Sequence, residues 1–178
     1  MMIAIVSLVS ESHTWSGAGT QTRADLACGP DEFQAVHQPH LTWMAVEDLE
    51  REASLAALER LSIDFGPIGA SVWGYGVFPG EFPTVTLGVL KTEAIRKMHQ
   101  QLWTELSPRA KGINAYYAPA VWMPHITMVY HDGTLRQAPC ALDALIPTSP
   151  QRYAFKINNL AMIYQTENEE GIHRKIPL

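Results

Sequence analysis

Apolar residues crowd together in some stretches of the chain and thin out in others, and the spacing inside each run indicates its element. Ile3-Ala4-Ile5-Val6-Ser7-Leu8-Val9 is β-branched and apolar almost without a break, the pattern of a central strand covered on both faces. From Ser10 to Pro39 the pattern dissolves into polar residues dotted with glycine, with Trp15, Arg23 and Phe33 as the few large side chains. This predicts a long loop of the functional kind, with a short helix from Asp31 to Val36. A second strand starts at His40. Glu47-Asp48 then opens a helical run to Ser62, whose stripe is Leu49, Ala53, Leu55, Ala56, Leu58 and Leu61, and Gly66-Pro67 breaks it. Strands are predicted over Ile68 to Phe78 and Thr84 to Leu90, on either side of the turn Pro79-Gly80-Glu81-Phe82-Pro83. A helix from Thr92 or Glu93 to Leu106 carries Ile95, Met98, Leu102 and Leu106 on one side, and Pro108 closes it.

The second half repeats the alternation. Gly112 to Met123 is irregular and aromatic, and it delivers a strand that begins at His125. Asp132-Gly133 marks a turn, a helix is placed at Pro139 to Leu145, and Pro147 and Pro150 forbid regular structure after it. Tyr153 to Ile157, Leu160 to Gln165 and Ile172 to Ile176 read as closing strands. The order implies an α+β protein: two pseudo-symmetric lobes of antiparallel or mixed sheet, helices outside, and a central cleft between the lobes. Residues 1–178 contain no linker or low-complexity run, so a single two-lobed domain is expected.

Composition narrows the partners. The net charge of −5 argues against a large basic surface for long duplexes and leaves small phosphorylated ligands open. Two cysteines, Cys28 and Cys140, stand far apart in no metal or redox spacing, which suits a reducing compartment. The apolar start, Met1 to Val9, is too short to span a bilayer and has no basic leader. A cytoplasmic protein without a membrane partner is the expectation.

The chemistry lies in a repeat. Pro39-His40-Leu41-Thr42-Trp43-Met44 and Pro124-His125-Ile126-Thr127-Met128-Val129 are near copies, 85 residues apart, one per half. Side chains alternate along a strand, so His40, Thr42 and Met44 should share one face and Leu41, Trp43 and Ala45 the other. Likewise His125, Thr127 and Val129 should face away from Ile126, Met128 and Tyr130. Two imidazoles on opposite sides of a phosphorus suit the opening of a cyclic phosphodiester. One takes a proton from water and the other protonates the departing ribose oxygen. Threonine hydroxyls on the same face supply hydrogen bonds to the non-bridging oxygens. This scheme needs no metal and no cofactor.

The paired His-x-Thr strands resemble those of the two-histidine phosphoesterase superfamily, which includes RNA 2′-5′ ligase-like proteins and cyclic nucleotide phosphodiesterases. The resemblance implies that His40 and His125 act as acid and base and that Thr42 and Thr127 bind phosphate. It implies as substrate a 2′,3′-cyclic phosphate on a nucleotide or RNA end. Tyr130 stands where the bacterial ligase-like branch often carries Arg, and in this it looks more like the cyclic phosphodiesterase branch. The superfamily also commonly has a helix where this chain has its irregular 10–39 segment.

Other residues are weaker candidates. Tyr116, Tyr117 and Trp122, in the irregular stretch before the second motif, could line the cleft where a base stacks; Tyr130, like Tyr116 and Tyr117, could touch substrate, and Arg23 could anchor a phosphate. Trp43 has the size of a stacking platform, but alternation sends it to the core. Gly17-Ala18-Gly19 lacks the third glycine of a dinucleotide loop. Two rival readings stand beside the enzyme. One is a non-catalytic module that binds an RNA end or a small phosphorylated metabolite in the same cleft. The other is a metal-dependent hydrolase built on His37 and His40, whose spacing around Pro39 lacks further ligands nearby.

Overall fold

A computed structural model describes residues 1–9, 39–79, 83–129, 154–166 and 169–178. The expected helices at Asp31–Val36 and Pro139–Leu145, the Asp132-Gly133 turn, both cysteines, and Arg23, His37 and Tyr130 lie outside them. Ten strands and two α-helices are described: β1 (Met2–Leu8), β2 (His40–Val46), β3 (Asp48–Leu49), α1 (Arg51–Phe65), β4 (Ile68–Phe78), β5 (Thr84–Val89), α2 (Glu93–Leu106), β6 (Ala110–Lys111), β7 (His125–Val129), β8 (Ala154–Ile157), β9 (Asn159–Gln165) and β10 (Glu170–Pro177). Short 3₁₀ turns occupy Ser107–Arg109 and Ala115–Tyr117.

Eight strands form one sheet in the order β10-β9-β1-β2-β7-β5-β4-β8, and every described pairing is antiparallel. Four strands thus lie on each side of the β2–β7 seam, and the expected α+β fold takes its antiparallel form in one continuous sheet. Both helices cover one face of this sheet. From α1, Ala57, Leu58 and Leu61 join the core; from α2, Ile95, Met98, Leu102 and Leu106 do so. Each fully buried Leu or Ile side chain there contributes about 1.5–3 kcal/mol. A smaller apolar layer of Ala4, Val6, Leu8, Ala45 and Ala161 lies apart from that core. β1, apolar on both of its faces, therefore serves both clusters, as its unbroken hydrophobic run requires.

Helix α2 starts as expected, with the Thr92 hydroxyl accepting from the Ile95 amide. Helix α1 does not. The expected opening at Glu47-Asp48 is instead strand β3, because the Glu47 amide donates to the Lys111 carbonyl and the Glu50 amide to that of Arg109. A distant partner claims these backbone groups before a helix can. The buried face of α1 shifts accordingly to Ser54, Ala57, Leu58 and Leu61, leaving Ala53 and Ala56 exposed. Gly66, at φ +59°, then ends the helix in the left-handed region that glycine tolerates.

One buried polar node joins the ends of β1, β2 and β9. The Trp43 indole N–H donates to Ser7 Oγ (2.8 Å), and the Ser7 hydroxyl donates to the Asn159 carbonyl (2.6 Å). Asn159 mimics a strand neighbour: its Oδ1 accepts from the Leu8 amide (2.9 Å) and its Nδ2 donates to the Leu8 carbonyl (2.7 Å). Buried polar groups must be paired, and here the pairing fixes the end of β1 beside His40.

Candidate active site

The two motif strands meet at the seam. Leu41 pairs with Ile126, both fully buried in the core. Continuing this antiparallel register by one residue in each direction sets His40 opposite Thr127 and Thr42 opposite His125. Each histidine therefore faces the other strand's threonine around an approximate two-fold through the Leu41–Ile126 pair. All four side chains are half-buried and lie on the face opposite the core.

Alternation holds for these four but fails one residue later. Val6 pairs with Thr42 and Ile5 with Met44, so Trp43 is an extra residue bulged out of the ladder. The bulge turns Met44 into the main core beside Trp43, and turns Ala45 onto the face of Thr42. The expected grouping of Met44 with the histidines, and of Ala45 with the core, is thereby reversed. Trp43 itself is fully buried.

His125 is held from both ends. Its Nδ1–H donates to the Met123 carbonyl at 2.8 Å, which leaves Nε2 as the nitrogen with a lone pair. The Phe78 ring lies 4.7 Å from the imidazole at a 60° tilt. Burial pushes the His125 pKa below its ordinary 6.5; the Met123 carbonyl opposes this, and the charge of nearby His40 adds to it. The two imidazoles are therefore close enough to feel one another's charge.

Thr42 is fixed from the side by the aromatic loop. The Trp122 indole N–H donates to the Thr42 carbonyl (3.1 Å), and the Tyr117 hydroxyl shares a hydrogen bond with the Thr42 side chain. Burial raises the Tyr117 pKa and that bond only partly offsets it. Of the two expected tyrosines the structure brings Tyr117 to the motif, whereas Tyr116 is 81% exposed. Behind the strand Trp122 stacks on His99, with ring centroids 3.8 Å apart and planes 11° apart, and His99 Nε2–H donates to the Trp43 carbonyl (3.1 Å). Lys91 completes the clamp by donating to the Trp122 carbonyl at 2.8 Å. Trp122, expected as a cleft-lining residue, is instead 2% exposed and packed behind the strand; sequence reasoning missed this and His99, since nothing local says which aromatic of an irregular loop will lie against which helix. Trp122→Phe keeps an aromatic ring but removes the donor to the Thr42 carbonyl together with part of the buried stack on His99. The expected loss in urea unfolding is at least about 1–2 kcal/mol, and an unchanged midpoint would show that neither the bond nor the stack contributes.

On the far side of β7 the sheet is rich in glycine. Gly88 lies directly opposite His125 and Thr86 opposite Thr127. Gly74 and Gly76 continue these rows on β4. Thr86 donates to the Gly76 carbonyl (3.3 Å). The position of His37, half of the metal reading, is outside the described residues, as are Arg23 and Tyr130. No described helix is long and apolar enough to cross a membrane.

Residues 13–169 match the family model described as the 2′-5′ RNA ligase superfamily. No curated protein matches by sequence. The fold is similar to three solved structures along nearly the whole of each chain. TT0787 of Thermus thermophilus shares 16% identity over 100% of this chain and 98% of that one, with a TM-score of 0.66. Usb1 of Kluyveromyces marxianus with uridine monophosphate shares 11% over 99% and 98%, with a TM-score of 0.55. LigT of E. coli complexed with 3′-AMP shares 13% over 99% and 93%, again at 0.55. Identities this low speak for the fold alone, and the family match carries the assignment. The motif-based resemblance is borne out at that level: the chain belongs to the 2′-5′ RNA ligase superfamily.

Proposed function

We propose that this protein hydrolyses a cyclic phosphodiester, the 2′,3′-cyclic phosphate of a nucleotide or an RNA end, with His40 and His125 as its acid–base pair. The observation that supports this most is the register about Leu41–Ile126, which sets each histidine across from the other strand's threonine on a face clear of the core. Family membership and the nucleotides named with Usb1 and LigT point to the same substrate class.

In the reaction, one imidazole takes a proton from water as its oxygen attacks phosphorus. The bond from phosphorus to one ribose oxygen breaks, and the second imidazole gives that oxygen a proton. A phosphomonoester remains. Thr42 and Thr127 donate to the non-bridging oxygens, where negative charge accumulates. His125, kept neutral in the free protein by burial, is the base, and His40 is the acid. Tyr117 holds the Thr42 hydroxyl in place.

The pH dependence tests whether such an acid–base pair operates. Activity requires unprotonated His125, whose pKa lies below 6.5. On raising the pH, kcat/KM for a 2′,3′-cyclic mononucleotide should therefore climb through a limb below 6.5, then fall through a second limb as the acid deprotonates. A flat profile from pH 4 to 9 removes acid–base catalysis altogether. A non-catalytic module in the same cleft would show binding of a 2′- or 3′-monophosphate without turnover of the cyclic compound.

A further inference from the structure

The pseudo-symmetry of the two motifs leaves open which lobe receives the nucleoside, and the surroundings of the histidines break that symmetry. On the β1 side the strand neighbour of His40 is Leu8, buried and tied down by Asn159. On the β5 side the strand neighbour of His125 is Gly88. A Cβ on Gly88 would collide with the Trp73 indole, at Cε2, Nε1 and Cζ2. The indole therefore lies over the glycine on the histidine face of the sheet. Opposed residues of antiparallel strands stand about 4.5–5.5 Å apart at Cβ, so the indole covers the position paired with His125, while the ring in contact with that imidazole is Phe78.

Trp73 is also 59% exposed, although an indole is usually among the more buried side chains. Its flank is open ground, since a Cβ on Gly74 would meet nothing within 4 Å. A wide, rigid aromatic face is thus held out beside the candidate catalytic pair, and glycine is what lets it lie so close to the backbone.

We propose that Trp73 is the plate on which the nucleobase of the substrate stacks, which places the nucleoside over the β4–β5 half of the sheet and favours purines. This rests on the phosphodiesterase reading above. Stacking serves any base, because each has a π-face, and it grows with ring size. Recognition is then by shape, without hydrogen bonds to base edges, and a substrate with no base would ignore Trp73.

The test is steady-state kinetics of the full chain on adenosine 2′,3′-cyclic phosphate, cytidine 2′,3′-cyclic phosphate and the base-free glycerol 1,2-cyclic phosphate. Trp73→Ala should raise KM for the adenosine compound roughly ten- to hundredfold. The rise should be smaller for cytidine and absent for the glycerol compound, with kcat little changed. Trp73→Phe should recover most of the loss. Gly88→Ala, by displacing the indole, should raise KM in the same selective way. An unchanged KM for adenosine in Trp73→Ala, or an equal rise for the glycerol compound, overturns the proposal. Should no cyclic phosphate turn over, the hydrolase reading falls, and calorimetry with adenosine 3′-monophosphate decides the plate by itself. Binding weakened in Trp73→Ala upholds it, and binding equal in, or absent from, both proteins overturns it.

Discussion

Alanine at His40 or at His125 is expected to lower kcat for a 2′,3′-cyclic nucleotide roughly 100- to 10,000-fold, the usual worth of one positioned proton transfer. Two features sharpen this expectation. First, the histidines face one another's threonines across a single strand pair, so each loss removes one half of a coupled transfer. The double variant should therefore fall much less than the product of the single losses, because the two groups act as a unit. Second, both imidazoles are half-buried on the face away from the core. Their removal should leave the fold intact, at a cost in stability small beside the loss of rate. His125 also gives up its bond to the Met123 carbonyl, so its variant should lose a little stability. Rates measured on variants that melt like the wild type decide the matter. If both retain wild-type turnover, the acid–base pair is wrong whatever the family.

Local rules reached the motif strands and helix α2 for a physical reason: each is specified by contacts among near neighbours. Thr92 caps α2 from one position before its start, and the Ile95, Met98, Leu102 and Leu106 stripe needs only the helical period. The outward face of His40 and Thr42 needs only the strand period. What escaped were features made by distant partners. β3 exists because Lys111 and Arg109 offer carbonyls to Glu47 and Glu50. The bulge at Trp43 exists because β1 and β2 are offset there, and no alternation along β2 alone announces it. The same holds at the site. The register that sets His40 opposite Thr127 joins residues far apart in sequence, and no pattern within either strand encodes it. Trp73 follows strand alternation from Val72, so its outward face was legible. That Gly88 would lie beneath it, next to His125, depended on two separate pairings of β5.

Acid should destabilise this fold through the buried His99. His99 is 2% exposed, packed between Trp43, Trp103 and Trp122, with Nε2–H on the Trp43 carbonyl. Burial depresses its pKa from 6.5 to about 4; the carbonyls of Trp43 and Tyr117 pull it up, and the Lys91 charge adds to the depression. In the unfolded chain it titrates near its ordinary value. Between those two values the unfolded state holds a proton that the folded state refuses, so the unfolded state gains as pH falls. The stabilisation from neutral His99 is complete above 6.5, declines through the interval, and is exhausted below about 4. A depression of this size corresponds to about 3 kcal/mol, a large share of the 5–15 kcal/mol typical of a domain. Urea midpoints measured from pH 7 down to pH 4 should fall accordingly. His99→Gln, which cannot titrate but keeps an N–H for the Trp43 carbonyl, should start lower at pH 7 and lose far less on acidification. A smaller slope must survive in that variant, since His125 is depressed in the same sense. Equal slopes in the two proteins would mean that His99 takes its proton as readily folded as unfolded. The stacked Trp122–His99 pair behind Thr42 would then be a wet contact rather than a dry wall.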